Sequence, residues 1–268
     1  MANQFHQANQ RRWDAGSASW ARHADTRGIW ERCHHDPSLA LHPAELKWLN
    51  NVAGRNIAVL GSGDNQVVFA LSGLQAKVTS VDISERQLDV APQRAIKLGL
   101  EVHFLRADVL DLSSLQGATF DMVYTGGHVA VWVSDLRRYY AEAARILKPN
   151  GLLIISEYHP FRRVWKRSPS VLEIGFNYFD RGPHRSNVSS DVLYAARGEW
   201  EQFEFHWTMA DYVCAVLSSG CEIIHAEEFG DTSEEGFAHE WASRHASASC
   251  TPARWPMSGR RIRGRMSP

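Results

Sequence analysis

Four cysteines, Cys33, Cys214, Cys221 and Cys250, stand in the chain without a CxxC pair. That scatter excludes a disulfide framework or a zinc knuckle and reads as reduced, structural thiols. Neither charge dominates: 29 basic against 30 acidic residues leave a formal charge of −1. A chain without a global positive field does not gather nucleic acid or anionic lipid, so neither is expected as a partner. Long apolar runs are also missing. The first residues, MANQFHQANQRRWD, have no apolar core, and nowhere do about 18 apolar residues follow one another. Neither a signal peptide nor a membrane span is therefore read, and a cytoplasmic protein is expected. Metal-ligand spacing is lacking too: His34-His35-Asp36 has a surface-loop pattern, and His239 with His245 does not make HExxH. No metal is expected.

What is present is an alternation of short apolar runs with helical segments, the pattern of a parallel sheet with crossover helices. The runs are NIAVL from 56, KVTSVD from 77, VHFL from 102, FDMVY from 120 and GLLIISEY from 151. Ser84 and Gln87 form a capping box for a helix over 84–98 that should end at Gly99, with Pro92 predicting a kink or break inside it. Leu136, Tyr139, Tyr140, Ala143 and Leu147 keep helical spacing, and KPNG ends that helix in a turn. The expected fold is α/β: a doubly wound, mostly parallel sheet with helices on both faces. Residues 1–50, with four tryptophans, read as a helical N-terminal cap. The catalytic-type domain spans 51–240. Within it, 158–207 is an aromatic-rich insertion after the fifth strand, of the length and composition of a functional lid. A helix ending at Gly220 and a sixth strand, CEIIHAEEF, follow. The last segment, 241–268, carries six arginines and no acid, and its composition predicts a disordered basic tail.

The chemistry sits at the strand ends. The first strand runs into Gly61-Ser62-Gly63-Asp64-Asn65, a turn whose glycines let backbone approach a ligand closely. The second ends in Asp82, whose carboxylate can accept hydrogen bonds from both ribose hydroxyls, with Ile83 beside it. Ala107, Asp108 and Val109 follow the third strand where an adenine would lie, and Thr125 and Gly126 close the fourth. The same features serve NAD, but the dinucleotide fingerprint needs Gly or Ala where this chain has Gln66, which disfavours that cofactor.

In the order VLGSGDN (59–65), VDIS (81–84), ADV (107–109), FDMVYTGG (120–127) and RILKPNGLLIISE (145–157), the chain resembles the class I, Rossmann-like S-adenosylmethionine-dependent methyltransferases. The resemblance implies S-adenosylmethionine as cofactor, S-adenosylhomocysteine as product, and methyl transfer to an O, N or C nucleophile. A small-molecule metabolite is the expected acceptor, because TGGHV stands where nucleic-acid adenine methyltransferases carry Asn or Asp before Pro-Pro-Tyr. Two departures stand out: Val59 where members commonly carry an acid, and Asn65 where they carry a third glycine. An acceptor bearing a proton needs a base, and His128, Tyr158, His159 and His206 are the candidates at the strand ends and the lid. Tyr124, Trp132 and Trp20 are candidate cation–π partners for a sulfonium. Non-methylating use of the cofactor, by cyclisation or cleavage, and cofactor binding without turnover are the alternative readings.

Overall fold

The computed structural model describes residues 3–49, 51–63, 66–165, 173–188, 200–228 and 248–254. Five strands lie parallel in the order β3-β2-β1-β4-β5. They are β1 (Asn56–Leu60), β2 (Lys77–Asp82), β3 (Val102–Arg106), β4 (Phe120–Gly126) and β5 (Leu147–Tyr158). The chain order reverses between β1 and β4. In an open α/β sheet the carboxyl ends of the strands on either side of that reversal form the ligand crevice.

The strands read as apolar runs rather than alternations because both faces are covered. One face, with Tyr139, Tyr140, Leu153 and Val216, packs under α5 (Leu136–Ile146) and α6 (Met209–Ser218). The other, with Ile57, Val59, Phe69 and Ile154, packs under α2 (Pro43–Leu49) and α3 (Gln66–Gly73). The cysteines read as structural include Cys33, wholly buried, its thiol pushed up by burial to about 11 and so inert.

Local signals set most boundaries. Ser84 caps α4 (Glu85–Lys97) by accepting the Gln87 N–H, and Gly99 follows with a φ of 67°. The expected break at Pro92 does not occur. α4 runs through it as a single helix, because the proline removes one hydrogen bond while packing of the helix on the sheet is retained.

Two corrections concern the chain's end. Residues 248–254, inside the segment expected to be a disordered tail, form β10, antiparallel to β5 from Ala248 opposite Tyr158 to Arg254 opposite Leu152. The exposed edge of β5 supplies a row of backbone donors and acceptors, and pairing there overrides composition. The single sixth strand over CEIIHAEEF is instead two short pieces, β8 (Glu222–Ile223) and β9 (Glu227–Glu228), both paired to β10. The rest of the tail, with His239 and His245, lies outside the described residues. In the insertion, β6 (His184–Val188) and β7 (Trp200–Glu204) form an antiparallel hairpin.

The N-terminal cap is dominated by α1 (Gln4–Arg27), closed at one end by the Asn3 side chain and at the other by Gly28 in the left-handed conformation. Its buried face is polar: His6, Asn9, Arg12 and Ser17. A helix that buries such residues docks by hydrogen bonds rather than by apolar area. Among the described residues no helix is long and apolar enough to cross a membrane.

Candidate active site

The glycine turn after β1 is built as its sequence requires. Gly61 has φ 67° and Gly63 φ 51°, a conformation that L side chains rarely adopt. A Cβ on Gly61 would lie 2.5 Å from Val129 Cγ1, so the turn and the segment after β4 are in direct contact. Gly61→Ala should therefore cost about 1–3 kcal/mol from strain and overpacking together. Urea denaturation measures it, and an unchanged midpoint would show that Val129 yields freely.

Asp82 ends β2 and joins this turn to α4. Its carboxylate accepts the Gly63 N–H at 2.7 Å and the Ser84 N–H at 2.8 Å. Ser62 Oγ lies 2.6 Å from Ser80 Oγ, fixing the same turn from below. Burial drives the Asp82 pKa up to about 6, with amide hydrogen bonds acting against it and nearby Asp14 adding to it. A carboxylate offers about four acceptor positions, so a group with two hydroxyl donors can be taken in addition to these amides. Ile83 lies between the two amide contacts.

Beyond β3, Ala107 donates its N–H to the Asp82 carbonyl and Val109 is buried. Asp108 accepts the Leu110 N–H at 2.9 Å and meets α1. His6 Nδ1 lies 2.9 Å from both Asp108 oxygens, and His6 Nε2 accepts the Ser134 N–H at 3.0 Å. The His6 ring thereby bridges the segment after β3 and the segment before α5. Asp14, two turns along α1, accepts from Ser84 Oγ at 2.6 Å and from the Arg86 N–H. The sequence reading missed both residues, since contacts across about 70 to 100 positions leave no local pattern. Val59, in the place of the family's acid, is buried in the core. The carboxylates at the crevice come from Asp14, Asp82 and Asp108.

At the end of β4, Thr125 is fully buried facing Tyr139 and Tyr140, and Gly126 has no room for a Cβ, with Ser156 O at 2.8 Å. Asp64 and Asn65 lie outside the described residues. His128 follows with φ 76°, its ring 4.6 Å from that of Tyr158. Its Nε2 contacts the Arg163 guanidinium, whose other arm binds Glu204 at 2.7 Å. His206 joins the same group, with Nε2 3.5 Å from Glu204. Burial lowers its pKa, so its ring is neutral at ordinary pH. Three of the four proton-handling candidates, His128, Tyr158 and His206, thus converge at the rim through Arg163. The fourth does not: His159 Nδ1 accepts the Phe161 N–H to start a 3-10 turn (Pro160–Val164), and its Nε2 pairs with Glu228 at 2.8 Å. It turns the chain because a histidine before proline can cap the turn that follows.

Of the aromatic candidates, Tyr124 is a core residue whose hydroxyl donates to Glu45 at 2.6 Å. Trp132 stands at the rim against Trp13 and the Arg12 guanidinium. Trp20 packs beside His23 on α1. No cluster of metal-ligating side chains occurs among the described residues.

Residues 59–155 match the family described as a methyltransferase domain. The central part of the chain thus resembles a methyltransferase domain, and the parallel sheet with the crevice at its reversal is a Rossmann-like α/β fold. An uncharacterised methyltransferase of Bacillus subtilis is 32% identical over 113 residues, 42% of this chain and 44% of that protein. A ubiquinone biosynthesis O-methyltransferase of Nitrosococcus oceani is 25% identical over 55% of this chain and 64% of that protein. The chain thus spans about half to two thirds of the length of these relatives. The structure of an S-adenosylmethionine-dependent methyltransferase from Mesorhizobium loti superposes with a TM-score of 0.60 at 24% identity, covering 79% of this chain and 96% of that one. S-adenosylmethionine fits the residues present. A ribose diol matches the acceptor capacity of Asp82, and the positive-φ turn at Gly61 and Gly63 brings backbone close to a ligand.

Proposed function

We propose that the protein transfers the methyl group of S-adenosylmethionine to an oxygen, nitrogen or carbon nucleophile of a small molecule. The observation that supports this reading is the cluster of His128, Tyr158, Arg163 and His206, joined to the glycine turn held by Asp82 through Val129, the neighbour of His128, against Gly61. When bound, the cofactor supplies an electrophilic methyl group on a sulfonium. Everything else is the work of the chain. Asp82 would hold the ribose hydroxyls and Asp108 the adenine, while the 61–63 turn and Thr125-Gly126 bound the amino-acid end.

The guanidinium of Arg163 can only donate, so His128 Nε2 is an acceptor with its proton on Nδ1. A hydroxyl that displaced this direct contact would donate to His128 and accept from Arg163. His128 would then take the proton while Arg163 favours the developing oxyanion. Tyr158 and Trp132 wall the acceptor, and α1 with the hairpin screens it from water. The O-methyltransferase names among the relatives support a hydroxyl acceptor, and the near-zero net charge supports a partner other than nucleic acid.

The test is calorimetric titration with S-adenosylmethionine, S-adenosylhomocysteine and NADH, followed by mass analysis of mixtures with a panel of phenols, amines and carbon acids. Binding of both sulfur nucleotides and a product heavier by one methylene unit is the expected result. Methylthioadenosine as the product would establish cofactor cleavage instead, and binding of NADH alone would overturn the reading.

The two buried acids also give a pH prediction. Asp82 and Glu157 have folded pKa values raised by burial to about 6 and about 7. The fold binds their protons more tightly than the unfolded chain does. Their contribution is therefore complete below about pH 4 and is lost as pH rises through 6 and 7. The ligand-free protein should lose a few kcal/mol between pH 5 and 8 from these groups, seen as a falling Tm. Asp82→Asn combined with Glu157→Gln should flatten that dependence, and an unflattened curve would place its origin elsewhere.

A further inference from the structure

One buried carboxyl group is held by the segment that carries His128 and Val129. Glu157, near the end of β5, is buried, and its hydrogen-bonded partners are backbone amides. Its Oε1 accepts the Ala130 N–H at 3.0 Å, and the Val129 N–H also points to it. A buried carboxyl is costly unless donors surround it, and these donors belong to one short segment, 127–133.

That segment needs an anchor. Gly127 and His128 have successive positive φ values of 70° and 76°, a conformation that costs a histidine of the order of 1 kcal/mol or more and persists only when its surroundings enforce it. Immediately after them, Val129 fills the space over Gly61, and Ala130 begins a 3-10 turn that carries Trp132. The amides bound to Glu157 are those of the two residues that follow His128.

We propose that Glu157 is the positioning residue of this site: it fixes the 127–133 segment so that His128 faces the acceptor while Val129 closes on the glycine turn. This proposal rests on the methyl-transfer reading for what the segment does, but not for how it is held. The groups facing Glu157 are Tyr139 and Tyr140 from α5, Tyr212 from α6 and Arg163 from the 3-10 turn. The three phenols are raised well above their ordinary value by burial and stay neutral, while Arg163 stays charged. His128 on the segment itself, and Glu204 and His206 beyond Arg163, complete the surroundings. Burial raises the Glu157 pKa to about 7, so the closed segment binds this carboxyl's proton more tightly than an opened one does and should open more readily as the proton is lost near neutral pH.

The experiment is amide hydrogen exchange of the full chain, resolved to Val129 and Ala130 and corrected for intrinsic exchange, at pH 6 and pH 8. It is run on the wild type, Glu157→Gln and Glu157→Asp, beside the pH profile of methyl transfer. Wild-type protection of the two amides should fall about fivefold or more across this interval. In Glu157→Gln it should be pH-independent, with kcat down about tenfold or more and the ionisation near 7 absent from the profile. Glu157→Asp, which keeps the charge, should restore part of both. Wild-type protection that does not change with pH, or the same pH dependence in Glu157→Gln, would overturn the proposal. If Glu157→Gln fails to fold, the wild-type pair of measurements still decides it. Absence of cofactor binding with the exchange pattern as expected would count against the methyl-transfer reading alone.

Discussion

Asp82→Ala should weaken S-adenosylmethionine binding by about 1.5 to 3 kcal/mol, the range for hydrogen bonds to a charged group, which is roughly a 10- to 150-fold rise in dissociation constant. The reasoning is local. Asp82 organises the Gly63 and Ser84 amides and retains acceptor capacity for a diol, so its removal frees the turn and takes away the ligand's acceptor together. Asp82→Asn separates the two effects. It keeps the volume but turns one acceptor into a donor facing an amide that also donates, so its affinity should fall nearly as far while the fold is better retained. Titration calorimetry with S-adenosylhomocysteine measures both variants. Unchanged affinity in both would remove Asp82 from the site.

His128→Asn should lower turnover about 10²- to 10⁴-fold, the contribution of a positioned general base, while leaving cofactor affinity within a few fold. Asparagine is chosen over alanine because position 128 has φ 76° and Asn tolerates the left-handed region better than other side chains. The backbone is then held constant while the imidazole is removed. The pH profile should also lose its basic requirement. Equal kcat in variant and wild type would return His128 to the role of a loop residue and shift attention to His206, which burial keeps neutral.

The two experiments probe opposite sides of one crevice, and the structure couples them through Val129 against Gly61 and Glu157 beneath both. A change at either end that moves the 127–133 segment should therefore appear in both cofactor affinity and turnover. The Asp82 and His128 variants are expected to be clean only because neither removes that anchor.

Much of this was legible in the sequence, for physical reasons. Apolar runs bounded by turn residues mark strands buried on both faces, and the chain lists them in order. Ser84, Gln87 and Gly99 mark a helix because caps are local hydrogen-bond devices. Gly61 and Gly63 stand in a positive-φ turn and Asp82 at the end of β2, because backbone conformation and strand ends constrain which residues can stand there. The sequence also determined a net charge near zero.

Other features belonged to the tertiary structure alone. β10 forms from an arginine-rich segment because the edge of β5 offers it hydrogen bonds. α4 survives Pro92 through its packing. His6 and Asp14 reach Asp108 and Ser84 across most of a hundred residues, and His159 was separated from the other proton-handling residues by a turn and an ion pair. Glu157 was visible only as a charged letter near the end of an apolar strand. Its importance comes from two amides that belong to a different strand's loop, and hydrogen bonds between segments distant in sequence are decided by the packing that brings them together.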